Sequence, residues 1–174
     1  MPTEVNWKDG YYQLQEGKTL KEQVTIVLAS PNQKNSKPEL KGSVGEKNVS
    51  FSTNEAYELS VSPTQIIIKA ATEHGVFNAM QTLQQLARNG QTIDAVEIKD
   101  SPAFAWRGYM IDVGRNYLSM NLLKQQIDIM AKYKLNVFHF HATEDIAWRI
   151  AIKQYPQLTA PEHMLRNKGM YYTE

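Results

Sequence analysis

Strict alternation of apolar and polar residues marks Tyr57-Glu58-Leu59-Ser60-Val61. Pro63-Thr64 interrupts it, and Gln65-Ile66-Ile67-Ile68-Lys69-Ala70 resumes. Two period-two runs around a short polar break predict a β-hairpin. Tyr11–Leu14 and Val24–Leu28 have the same mixed character and predict two earlier strands. The stretch from Ser30 to Asn48 is rich in Pro, Gly, Ser, Asn and Lys with little to bury, which predicts an exposed loop with room for a short strand. After the hairpin the period changes. Val76, Phe77, Met80, Leu83, Leu86 and Ala87 recur at three- and four-residue spacing behind Thr72, a good N-cap, and Asn89-Gly90 supplies a stop. Ala95–Lys99 alternates again until Asp100-Ser101-Pro102 ends it. Residues 1–102 therefore read as an α+β domain, a helix packed on a mostly antiparallel sheet.

Beyond Pro102 the order becomes strand, helix, strand. Trp106–Val113 reads as extended, Asn121–Tyr133 as an amphipathic helix through Leu122, Leu123, Ile127, Met130 and Ala131, and Leu135–His141 as extended again. A strand, a helix and a strand in this order predict a βαβ unit with parallel strands. A third apolar segment lies near Trp148–Ile152, and Pro161–Glu174 forms a tail without period. Residues 103–174 are thus set apart from residues 1–102 as a second region.

Composition narrows the function classes. Nineteen Lys and Arg face eighteen Asp and Glu, a formal charge of +1, so no global field draws the chain to nucleic acid or an anionic membrane. No cysteine is present, which removes disulfides, a thiol nucleophile and thiolate metal sites but is compatible with cytosol and periplasm alike. Met1-Pro2-Thr3-Glu4 leads into polar sequence without the features of a signal peptide, and no apolar run reaches the ~20 residues that span a bilayer.

Two segments carry a resemblance. Phe104-Ala105-Trp106-Arg107-Gly108-Tyr109-Met110-Ile111-Asp112-Val113-Gly114-Arg115 resembles the strand that opens the catalytic (β/α)8 barrel of family 20 β-N-acetylhexosaminidases. Tyr133 through Ile150, with Lys-Leu-Asn-Val-Phe-His, an aromatic, His, an acidic pair and Trp-Arg, resembles that family's second barrel strand and the loop after it. Glu73-His74-Gly75-Val76-Phe77 and Gln81-Thr82-Leu83 are similar to the helix of the family's preceding α/β domain, and Tyr171-Tyr172-Thr173 to the entry of the next barrel helix. The likeness runs from about residue 50 to the end.

The resemblance implies a zincin-like α+β domain over residues 1–102 and the first βα units of an incomplete (β/α)8 TIM barrel over residues 103–174. From Phe104 onward 71 residues remain, against about 250 for a closed barrel. It also implies a retaining exo-hydrolase acting on glycans that end in N-acetylglucosamine or N-acetylgalactosamine, without a cofactor. In this family the substrate's own 2-acetamido oxygen is the nucleophile. An adjacent Asp-Glu pair after the fourth strand supports that chemistry, so no catalytic residue is expected within this chain. Periplasmic or secreted residence is expected from the family, and the truncated barrel is expected to self-associate through its unpaired strands.

Arg107, with its planar fork of donors, is matched by the resemblance to an arginine that grips the terminal sugar. A structural pairing with a barrel carboxylate is the other reading. Glu144 and Asp145 follow the second strand, at the end where barrel enzymes build their sites, and either is the candidate acceptor for sugar hydroxyls; the family usually has aspartate at the position of Glu144. Asp112 and Arg115 read as a structural pair at the end of the first strand, with a site role as the alternative. His139 and His141 share a strand face, the arrangement of two metal ligands, but no third ligand stands at suggestive spacing, so buried, hydrogen-bonded histidines are expected and no metal. Trp148 reads as core or as a sugar-stacking surface.

Overall fold

A computed structural model describes residues 2–28, 53–87 and 90–173. These form two compact units, Met1–Ala105 and Trp106–Glu174. The expected loop between Ser30 and Asn48 and the Asn89 stop signal lie outside the described residues.

Among its described residues the first unit contains a five-stranded sheet in the order β1-β5-β3-β4-β2, built from β1 (Glu4–Gln13), β2 (Val24–Leu28), β3 (Tyr57–Val61), β4 (Ile66–Ala70) and β5 (Thr92–Asp100). The predicted hairpin is β3–β4, paired antiparallel from Tyr57↔Ala70 to Val61↔Ile66. Only β2, beside β4, runs parallel to its neighbour. β1 begins seven residues before the predicted start. Asp9-Gly10 makes a β-bulge here. The register shifts between Trp7 and Tyr11, Gly10 takes φ +93°, and the strand continues on both sides.

Alternation sorts the two faces of this sheet. Leu59, Ile66, Ile68, Val96 and Ile98 point into a buried core, while Glu58, Lys69, Glu97 and Lys99 are exposed on the opposite face. On that outer face Glu4, Lys99, Glu58 and Lys69 stand in one cross-strand row of alternating sign. Lys99 Nζ lies 3.9 Å from Glu58, and Lys8 Nζ lies 3.3 Å from Glu97.

Helix α1 (Glu73–Leu86) covers the inner face, capped by Thr72, whose hydroxyl accepts from the Gly75 amide at 3.4 Å. Its buried residues are Gly75, Asn78, Ala79, Thr82 and Leu83. The predicted apolar stripe is the packing face at Val76, Met80, Leu83, Leu86 and Ala87, with Phe77 alone of its members exposed, and the small or hydrogen-bonded Gly75, Asn78, Ala79 and Thr82 are buried beside it. The reason is proximity. A Cβ on Gly75 would lie 2.5 Å from the Ala56 carbonyl oxygen and 2.9 Å from Ala70 Cβ, so the helix sits closer to the sheet than large side chains permit. Tyr57 completes this contact, its hydroxyl 2.6 Å from Thr82 Oγ1 and donating to Asp100 at 3.0 Å, and burial pushes its phenol well above the usual tyrosine range.

The second unit contains the predicted βαβ element: β6 (Gly108–Asp112), α2 (Met120–Lys132) and β7 (Val137–His141), with β6 and β7 parallel from Gly108↔Val137 to Asp112↔His141. Ser119 caps α2, accepting from the Leu122 amide at 3.3 Å. Val113, Leu123 and Tyr172 form a small buried cluster, with Ile111, Phe138 and Phe140 packed on it. Only Leu123 and Met130 of α2 are buried, and Leu122 and Ile127 are exposed, because among the described residues the helix covers a sheet of just two strands.

The third apolar segment is not a long strand. β8 (Thr143–Glu144) turns back antiparallel onto β9 (Ala147–Trp148), and the chain then wraps through short 3-10 turns to a bridge between Ile150 and Tyr172. The tail that lacked any period is ordered by a different device. Arg149, fully buried at 0% exposure, spends its guanidinium on the carbonyls of Val113, Gly114, Arg166, Asn167 and Met170 at 2.9–3.1 Å.

Candidate functional site

Asp112 ends β6 and His141 ends β7, and the parallel register sets them side by side. Both lie on the sheet face that also carries Met110 and His139, opposite the one that packs Ile111, Phe138 and Phe140. Two further side chains reach this end. Arg115, three residues past β6, pairs through Nη1 with Asp112 and through Nη2 with Glu144 Oε1 at 2.7 Å. His141 Nε2 lies 3.1 Å from the same Glu144 oxygen and 3.0 Å from the Thr143 carbonyl. Gly114 makes room for this meeting, since a Cβ there would fall 3.2 Å from Glu144 Cβ and from its backbone nitrogen.

Electrostatics agree with the geometry. The Asp112 carboxyl is held below its ordinary value, chiefly because the Arg115 amide donates to it, with the Arg115 guanidinium adding to the effect. The Arg115 guanidinium is shifted up, first by its hydrogen bond to Asp112 and then by the charge of Glu144. A carboxyl lowered by folding contributes stability that is complete above about pH 4 and is lost as the pH falls through the lower, folded value. The Asp112 carboxyl carbon should therefore still report an ionised group at pH 3.8, with the Arg115 side-chain signals collapsing only in stronger acid. An NMR pH titration reads both, and an Asp112 midpoint at or above 3.8 would contradict the pairing.

Asp112, His141 and Glu144 bring one ligand atom each within 4.8 Å of one another, a spacing that fits a divalent cation. The Arg115 guanidinium already rests on both carboxylates, so a metal would have to displace a paired cation.

The other candidates fall elsewhere. Arg107 stands at the opposite end of β6, about 16 Å from Asp112 by strand rise. Its Nε donates to the Lys134 carbonyl at 2.7 Å, and its backbone exchanges hydrogen bonds with Asn136. Asp145 is exposed beside Glu144 and adds to the field on Arg115. The expectation of buried histidines is corrected: His139 is exposed and His141 half-buried, their rings stacked 6.4 Å apart, because their sheet face has no core packed on it among the described residues. Trp148 is half-buried and donates to the Ile150 carbonyl at 2.7 Å. Sequence reasoning gave Arg149 no role. Its signal was an arginine set among Ile146, Ala147, Trp148 and Ile150, where a solvated charge has no place.

Comparison with known families decides the kinship. The model of the glycosyl hydrolase family 20 catalytic domain matches residues 104–174, and that of the same family's domain 2 matches residues 2–101. The chain belongs to glycosyl hydrolase family 20. A β-hexosaminidase of Porphyromonas gingivalis is 48% identical over 115 residues, which is 60% of this chain and 15% of that protein. Among solved structures, the Flavobacterium johnsoniae chitobiase matches with a TM-score of 0.74 at 25% identity, covering 99% of this chain and 30% of that one. The Bacteroides fragilis β-N-acetylhexosaminidase matches with a TM-score of 0.71 at 32% identity, covering 99% and 39%. The chain thus spans well under half the length of these family 20 relatives.

Proposed function

We propose that this chain is the N-terminal part of a retaining exo-β-N-acetylhexosaminidase, and that residues 1–174 hold part of the sugar site but turn over no substrate. The hexosaminidase and chitobiase names of its relatives support the reaction class. The observation that carries the site is the Arg115–Glu144 pair at the carboxyl ends of two parallel strands, where barrel enzymes assemble their chemistry. A guanidinium fork beside a carboxylate offers donors and an acceptor to neighbouring sugar hydroxyls. Asp145 extends the acidic side of that site, and Arg107 enters as the second arginine to be tested.

Catalysis in this reading is substrate-assisted, the 2-acetamido oxygen attacking the anomeric carbon while an acid protonates the departing oxygen. No Asp-Glu dipeptide occurs in the 174 residues, which supports inactivity of the chain by itself. Closure of a full (β/α)8 barrel and residence of the parent protein outside the cytoplasm belong to the same proposal; cell fractionation of the source checks the latter.

Titration with N-acetylglucosamine tests the site. Saturable shifts at Arg115 and Glu144 are expected, weakened tenfold or more by Glu144→Gln, which corresponds to about 1.4 kcal/mol. Arg107→Met is expected to leave them in place if Arg115 is the sugar-facing arginine, and to abolish them if Arg107 is. Turnover of an aryl N-acetylglucosaminide by the purified chain would overturn the claim of inactivity.

Self-association is the companion prediction. Among the described residues β6 and β7 pair only with each other, and Met110, Ile127, Ile129 and Tyr133 are exposed around them. Sedimentation velocity should show a concentration-dependent rise above the 19.9 kDa monomer. A single monomeric species up to about millimolar concentration would refute it.

A further inference from the structure

We propose that Arg149 is the positioning residue of the Arg115–Glu144 pair, and that through it residues 164–170 become part of the support of that site. The inference rests on the reading of this pair as a sugar-contact site, but its test needs no sugar.

Arg149 touches the backbone on both sides of the pair. Its guanidinium donates from Nε to the Val113 carbonyl at 2.9 Å and from Nη2 to the Gly114 carbonyl at 3.1 Å, the two residues immediately before Arg115. Its own amide donates to the Ala142 carbonyl at 3.2 Å, two residues before Glu144. Gly114 in turn abuts the Glu144 backbone, so the height of the 113–114 turn sets how far Glu144 stands from Arg115. One residue, through its guanidinium on one side and its own amide on the other, thus ties down the backbone beside both partners of the ion pair.

The far side of the same guanidinium holds the tail. Nη1 donates to the Asn167 and Met170 carbonyls at 3.0 Å each, and Nη2 to the Arg166 carbonyl at 3.0 Å. Asn167 adds a second tie, its Oδ1 accepting from the Tyr117 amide at 3.1 Å on the segment leading into α2. Leu165 and Tyr172 close the wrap by donating to the Ile146 and Arg149 carbonyls at 2.8 and 2.7 Å. Among the described residues none of Arg149's partners is a carboxylate. Its charge is spread over backbone dipoles and the Met164 thioether, and its complete burial keeps it out of reach of a sugar. It acts on the site only by placing others. A planar fork with five donors suits this arrangement, whereas a lysine offers three on one rotating end.

The test is Arg149→Lys in the full chain, read by NMR. Positioning predicts that the amide signals of Met1–Ala105 stay in place while the Arg115 Nε and His141 ring signals move, because Glu144 Oε1 no longer receives both partners in register. Arg115 and His141 signals unchanged in a folded Arg149→Lys chain would overturn the proposal. Should that variant not fold, hydrogen exchange in the unmodified chain decides. Gly114, bonded to the His141 carbonyl, is then expected to exchange with the same protection as Leu165 and Tyr172. Tail amides opening tenfold or more faster than Gly114 would show turn and tail to be uncoupled, and the proposal would fall. Sugar binding is scored separately. If N-acetylglucosamine leaves Arg115 unperturbed while Arg149→Lys moves it, the sugar reading fails and the positioning role stands.

Discussion

Arg149→Ala is expected to destabilise the second unit by about 3–5 kcal/mol, a large part of the ~5–15 kcal/mol that holds an ordinary domain together. The substitution removes the guanidinium from five backbone carbonyls, of which only that of Asn167 keeps another donor, the Met170 amide. Each buried acceptor left unmet costs about 1–3 kcal/mol, reduced where water enters the space the side chain leaves. The native arrangement carries its own cost, since burial pushes the guanidinium's affinity for its proton down. Arginine stays charged throughout any practical pH range, so the carbonyl cage offsets that cost rather than deprotonation. Denaturant unfolding followed on the amides of residues 106–173 measures the effect. A loss under about 1 kcal/mol would mean that water serves the carbonyls as well as the side chain does.

Gly75→Ala is expected to destabilise the first unit by about 1–3 kcal/mol, against the direction of helix propensity. Alanine in a helix interior is favoured over glycine by about 1 kcal/mol, so local preference alone forecasts a gain. Packing decides otherwise. The new Cβ would fall 2.5 Å from a backbone oxygen, that of Ala56, and 2.9 Å from Ala70. Neither neighbour can turn aside: Ala56 immediately precedes Tyr57, and Tyr57 pairs with Ala70 across β3 and β4. The helix must lift, and the hydroxyl contact between Tyr57 and Thr82 stretches with it. Thermal unfolding, with the near-ultraviolet tyrosine signal as a local readout, checks both the sign and the route. A variant as stable as the parent would show that α1 shifts at no cost.

The elements legible in the sequence are those whose residues carry their own period. The β3–β4 hairpin, α1 behind Thr72 and the βαβ order of β6, α2 and β7 rest on alternation, capping and three-to-four spacing, which are local properties. What escaped depends on partners far along the chain. The part of β1 ahead of Tyr11 joins the strand through β5, which pairs on both sides of the Asp9-Gly10 bulge. The tail from Pro161 onward has no period because its order comes from Arg149 and not from a repeating face. In the candidate site Glu144 was visible from its place after a strand. Arg115 was visible only as half of a pair with Asp112, since its reach to Glu144 depends on a register between strands that lie 25 residues apart.

The charged row on the outer face of the first sheet has a consequence for how its strands find their places. A slip by two residues keeps every apolar side chain on its own face, so burial alone does not forbid it. The row does. Sliding β5 by two in one direction would set Glu97 opposite Glu58 on one side and opposite Glu4 on the other, where Lys99 now stands. Each like-charge encounter of this kind costs on the order of 0.2–1 kcal/mol while each native pair gains a similar amount. The outer face therefore serves as a key for alignment, telling apart two pairings that the core would accept alike.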